Sequence, residues 1–163
     1  MHRRSERNYA LMICPALVII LLDQISKAAI VEHLRVHEGI TVIPGFFSLV
    51  HARNRGMAFG LLNRPDIHFG FFILVGASLL AIVLLSIWFF KLGKNETLTV
   101  LSLSFILGGA LGNLIDRLRF GEVIDFLDFY MGRYHWPAFN VADSAITVGA
   151  LLIATTALLR REK

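Results

Sequence analysis

Residues 69–90 read FGFFILVGASLLAIVLLSIWFF, with no charged side chain anywhere in the run, and its length decides the fold. A helix rises about 1.5 Å per residue, so this run reaches across the roughly 30 Å hydrocarbon core of a bilayer. Working outward, residues 97–115 are also uncharged, 134–159 hold only Asp143, and 9–31 stay apolar to Leu22 before Asp23 and Lys27 appear. The sequence therefore predicts a mainly α membrane protein with four transmembrane helices, at about 9–31, 69–90, 97–116 and 140–159, in a single integral membrane domain. Composition points the same way: 56% of the 163 residues are hydrophobic and 17% charged, with a mean hydropathy of +0.66, whereas soluble domains put about a quarter of their residues in the charged class.

The first span follows the basic stretch MHRRSER, as a secretory signal would. Its apolar run continues too far, however, and no small-x-small cleavage site follows, so it is read as a retained anchor. Ile13, standing before Cys14, is too bulky for a lipobox. A lone cysteine forms no internal disulfide, and no Cys/His spacing suggests a metal site. The net charge of +4 and the pI near 9.6 would suit nucleic acid, but the basic residues cluster at span ends, where membrane topology places them. Nucleic acid is rejected as a partner, and membrane lipids are the expected surroundings.

An even number of spans puts both termini and the loop 91–96 on one side. That side carries eight Lys and Arg in 18 positions, and the other carries eight in 64, taken as 27–67 and 117–139. The denser side is assigned to the cytoplasm, which turns both long loops outward. In the first of these, ITVI, Pro44-Gly45 and FFSLVHA read as strand, turn and strand. MAFGLL at 57–62 then reads as a short interfacial helix before the breaker NRPD. A small extracytoplasmic β-sheet is thus expected beside the spans.

Ionisable groups in a bilayer cost about 2.5–3.5 kcal/mol each when central, so Asp23, Asp116 and Asp143 ask for a reason. All three fall toward the outer ends of their spans. Asn140, Asp143, Ser144 and Thr147 make one polar stripe on a helix starting near Asn140. An Asn140 cap with Asp143 in the first turn accounts for that stripe as well as function does. In GGALGNLIDRLRF, Gly108 and Gly112 form a small-xxx-small pair for close helix approach; packing explains the glycines but not Asn113. GEVIDFLDFY sets Asp125 and Asp128 among apolar neighbours, which predicts that it folds back onto the membrane surface. Asp23 and Lys27, at i and i+4, read as a self-neutralising interfacial pair. Asn54 and Gly56 sit in a turn, with ordinary turn chemistry and function equally open.

Several chemistries drop out. H-E-x-x-H is absent, no histidine in the third or fourth span serves Ser78 as a base, and no G-x-G-D run occurs. What remains for hydrolysis is a pair of aspartates. Two carboxylates close together in a low dielectric share one proton; the ionised member takes a proton from water and the protonated one polarises a carbonyl. Asn54, Asn113, Asn140 and Arg117 are available to hold a backbone or an oxyanion. The alternative is a small membrane transporter or proton-relay protein, which intramembrane aspartates also fit. A third reading is a structural subunit whose polar residues serve helix association.

DQISK at 23–27, NRGMAFG at 54–60, GGALGNLIDR at 108–117, VIDF at 123–126 and FNVADS at 139–144 resemble, in order, the five motifs of bacterial lipoprotein signal peptidase, signal peptidase II. The resemblance spans nearly the whole chain. It implies an intramembrane aspartic endopeptidase of the bacterial cytoplasmic (inner) membrane that removes signal peptides from diacylglyceryl-modified prolipoproteins, cutting before the lipidated cysteine near the outer face. It implies a catalytic pair at Asp125 and Asp143, with Asp23, Asn54, Gly56, Asn113, Asp116, Arg117 and Asn140 shaping the pocket or holding substrate. Asp128 lies outside the motif core. No metal, organic cofactor or obligate protein partner is expected beyond the lipid-modified prolipoprotein substrate.

Overall fold

In the computed structural model, which describes residues 9–56, 68–93 and 96–161, four helices are long and apolar enough to cross a membrane. They are α1 (Tyr9–His33), α2 (His68–Lys91), α3 (Thr97–Phe120) and α4 (Val141–Arg161). Pro15 lies inside α1, where it lacks the N–H that would otherwise bond back to the preceding turn. Leu21, Ile25, Phe72, Leu80, Leu84 and Leu151 are each more than half exposed. Patches this apolar are a liability in water and the ordinary helix surface in lipid.

The helix α3 is the centre of the bundle, with α1, α2 and α4 all packed on it. Its glycines make that possible. A Cβ on Gly108 would meet the Ala16 carbonyl oxygen of α1 at 2.9 Å, and one on Gly109 would collide with the Ala142 carbonyl oxygen of α4. From the other side, Gly149 of α4 lies against the Ser102 carbonyl of α3. Helices in lipid have no hydrophobic drive to associate, so close backbone approach and interhelical hydrogen bonds do the work. Ser104 Oγ supplies one, donating to the Met12 carbonyl at 2.6 Å.

At the other end of the chain's logic is the sheet. The strands β1 (Gly39–Ile43), β2 (Phe47–Asn54), β3 (Val123–Met131) and β4 (Tyr134–His135) form a four-stranded antiparallel sheet in the order β1-β2-β3-β4. Gly45, at φ +77°, makes the β1–β2 turn. The GEVIDFLDFY segment supplies the third strand, so the sheet draws on both long loops. The register sets Asn54 opposite Val123 and Ala52 opposite Asp125. Gly121, in the left-handed region at φ +76°, ends α3 with its N–H on the Arg117 carbonyl and turns the chain into β3. Phe139 then pairs with Leu127, which ties the start of α4 to the same strand. Ile30, Leu34, Ile124 and Phe126 bury together where sheet meets bundle. The expected interfacial helix at 57–62 lies outside the described residues.

Candidate active site

Between the bundle's glycine contacts and the Ile124–Phe126 cluster lies a layer of buried polar side chains. Asp23, Asp116 and Asn140 are 0–1% exposed, and Lys27, Asn113 and Asp125 at most 5%. Each comes from a different local device. Asp125 alternates on β3 with Ile124 and Phe126, and Asp143 stands in the first turn of α4. Asn113 and Asp116 follow the glycine run of α3.

The two aspartates of the expected pair meet around amides. Asp125 accepts from Asn54 Nδ2 at 3.0 Å and from Asn140 Nδ2 at 2.7 Å. Asp143 accepts from Asn113 Nδ2 at 2.8 Å. Asn140 Oδ1 receives the Asp143 N–H at 2.9 Å, so this one side chain both caps α4 and grips Asp125. The capping and functional readings of Asn140 were therefore not rivals. Ser144 and Thr147, by contrast, donate back to carbonyls of their own helix and take no part in the site. Asn54 repeats the double use: its Oδ1 accepts the Gly56 N–H at 2.8 Å, forming the turn that aims its amide at Asp125. At φ +75°, Gly56 is in a conformation that other residues resist.

Burial is the main influence on the Asp125 carboxyl, and with the nearby Asp143 charge it outweighs the Asn54 and Asn140 hydrogen bonds to push its pKa up to about 6. Desolvation disfavours the charged form, and a like charge adds to that. Asp125 therefore binds a proton more tightly than an ordinary aspartate. Arg117 lies within electrostatic reach of Asp143, Asp116 and Asp125, and its Nη1 donates to Ser78 Oγ at 3.4 Å.

Asp23 and Lys27 are more than the interfacial pair expected. They are buried, 2.8 Å apart, and Lys27 is also 2.7 Å from Asp116 and donates to Asn113 Oδ1 at 3.1 Å. Gln24 donates to Asp116 at 2.9 Å and to Asp23 at 3.2 Å. A Lys27–Asp116 contact joins residues far apart in the chain, so helical spacing within α1 could not reveal it. The sequence signal is the place of Asp23 and Lys27 in DQISK and of Asp116 in GGALGNLIDR. Asp128 stands apart, facing His135 Nδ1 at 3.0 Å.

The fold and this site define a multi-pass membrane protein with a buried centre of carboxylates and amides. A family model described as Signal peptidase (SPase) II matches residues 15–159, and the chain belongs to that family of peptidases. It is 41% identical over 158 residues to a protein of Syntrophus aciditrophicus described as lipoprotein signal peptidase, covering 97% of this chain and 98% of that one. A protein of Desulforapulum autotrophicum with the same description is 52% identical over 139 residues, 83% of each chain. A solved structure described as a bacterial membrane enzyme superposes with a TM-score of 0.84 at 30% identity, covering 96% of this chain and 98% of the other.

Proposed function

We propose that the protein is an intramembrane aspartic endopeptidase that removes signal peptides from diacylglyceryl-modified bacterial prolipoproteins, cutting before the lipidated cysteine. The observation that carries this reading is the meeting of Asp125 and Asp143, from strand and helix, around Asn140 and Asn113. Asp143 takes a proton from water as the water oxygen attacks the scissile carbonyl, while Asp125 donates its proton to the carbonyl oxygen. The tetrahedral intermediate collapses as Asp143 passes the proton it took to the leaving nitrogen, Asp125 takes its own back from the hydroxyl, and the C–N bond breaks. Each proton transfer of this kind is worth about 10²–10⁴-fold in rate. Asn54, Asn113 and Asn140 hold the pair, Asp23 and Asp116 brace it from behind, Gly56 shapes the turn beside it, and Arg117 supplies positive charge for the oxyanion or substrate backbone. The scheme uses neither metal nor organic cofactor.

The protein then resides in the cytoplasmic (inner) membrane of a bacterium with both termini in the cytoplasm and the sheet and aspartates toward the outer face. In that position the signal helix lies among the spans, its lipid tails stay in the bilayer, and water reaches the scissile bond. The similarity to lipoprotein signal peptidases supports the substrate, and the density of Lys and Arg supports the orientation. The test is cleavage of a synthetic precursor peptide, with and without its diacylglyceryl group, by the purified protein alone. Cleavage of the lipidated peptide only, lost in Asp125→Asn and in Asp143→Asn, is the expected result. Full activity in either folded variant would remove the pair from the mechanism.

A further inference from the structure

We infer that Lys27 is a positioning residue for the aspartate pair, a crosspiece that sets both the placement of the two carboxylates and the direction of the Asn113 amide. The inference rests on the reading of Asp125 and Asp143 as that pair.

Each brace carboxylate holds the backbone one residue ahead of an aspartate. Asp23 Oδ1 accepts the Ala142 N–H at 2.9 Å, next to Asp143. Asp116 Oδ2 accepts the Ile124 N–H at 3.2 Å, next to Asp125. Lys27 joins these braces, 2.8 Å from Asp23 and 2.7 Å from Asp116. It also donates to Asn113 Oδ1 at 3.1 Å, which leaves the Asn113 NH₂ to point at Asp143. The ammonium donates to Asp23 and Asn113 and is ion-paired with Asp116. One side chain therefore links α1, α3, β3 and α4 at the points from which the pair projects.

Stability alone is a poor explanation for such a cluster. Buried ion pairs barely repay their desolvation, and apolar replacements are often neutral. The charges facing this centre are Lys27 and Asp23 on α1, Asp116 and Arg117 on α3, Asp125 on β3 and Asp143 on α4. Lys27 sets its ammonium between the two brace carboxylates, and Lys27→Met would remove that positive charge from behind the pair. The Lys27 charge also acts directly to favour ionised Asp125.

The experiment measures kcat, KM and the pH profile of the full-length protein in bicelles on a lipidated precursor peptide, with melting temperature recorded for each variant. In Lys27→Met, kcat is expected to fall about 10²-fold, the loss typical of a displaced catalytic group, with KM little changed and the pH profile moved toward alkaline pH. A folded Lys27→Met with wild-type kcat and pH profile overturns the inference, as does a change in KM alone, which would make Lys27 a substrate contact. If Lys27→Met fails to fold, Lys27→Met/Asp116→Asn, which removes one charge of each sign, is read instead: kcat loss with retained KM supports the inference and wild-type kcat overturns it. Asp125→Asn and Asp143→Asn run in parallel. Their retention of activity would sink the reading of the pair, whereas their loss beside an active Lys27 variant would sink only the role of Lys27.

Discussion

Asp125 shows how much one side chain's environment decides. In the unfolded chain its carboxyl has the ordinary value of 3.8, and in the folded protein about 6. The folded state therefore binds the proton more tightly, so the contribution of Asp125 to stability is fully present below about pH 4 and is lost as pH rises through about 6. The span corresponds to roughly 3 kcal/mol. Unfolding measured in detergent across pH 4–7 should show this decline, and Asp125→Asn should flatten it. At the same scale, Asp125 and Asp128 are three apart on β3, which puts them on opposite faces of the strand. Asp128 is engaged by His135 rather than by the amides. Asp128→Asn should leave peptide cleavage near wild type, and a loss comparable to that of Asp125→Asn would put Asp128 in the pair in place of Asp125.

Among the elements, α3 carries the tightest constraint. Gly109 faces the α4 backbone at Ala142, with Ile146 Cγ1 2.8 Å from where a Cβ would stand, and Gly112 faces Asp23 Oδ2 at 2.7 Å. Gly109→Ala must push α4, and with it Asp143, away from α3. Overpacking of this kind costs about 1–3 kcal/mol, so a lowered melting temperature and reduced cleavage are expected together. Gly76 of α2 has nothing within 4 Å of its Cβ position. Gly76→Ala is the matching substitution that should change neither measurement. The small-xxx-small reading of Gly108 and Gly112 foresaw close approach; that Gly109 serves α4 while its neighbours serve α1 depends on how the three helices are rotated.

For the whole molecule, four spans and the distribution of Lys and Arg make a definite topological statement. A reporter fused after Lys163 should be active only if it is a cytoplasmic reporter, and a periplasmic reporter there should be silent. Exported activity at that fusion would reverse the orientation and place the aspartates on the inner side. The four spans were legible because lipid demands about 20 apolar residues per helix, a requirement that is local and leaves a continuous trace. The strands β1 and β2 were legible from their Pro-Gly turn. The strand β3 was not, because the residues it pairs with lie in the other long loop and pairing over that distance leaves no periodic mark in either segment.

The candidate site divides along the same line. From sequence alone came the residue types, the expensive carboxylates at one depth and the ordered motifs that drew Asp125, Asp143, Asn54, Asn113 and Asn140 together. Local pattern marked the costly carboxylates, since the cost of a charge in lipid belongs to the residue itself, and the resemblance of the five motifs singled out Asp125 and Asp143. Only the tertiary structure decided that Asn140 caps one aspartate's helix while gripping the other aspartate. The same holds for Asn54, which reaches Asp125 through a strand register, and for Lys27, which reaches beyond its own helix to Asp116. Hydrogen bonds and ion pairs act over about 3 Å in space without regard to separation along the chain, so no spacing in the sequence encodes them.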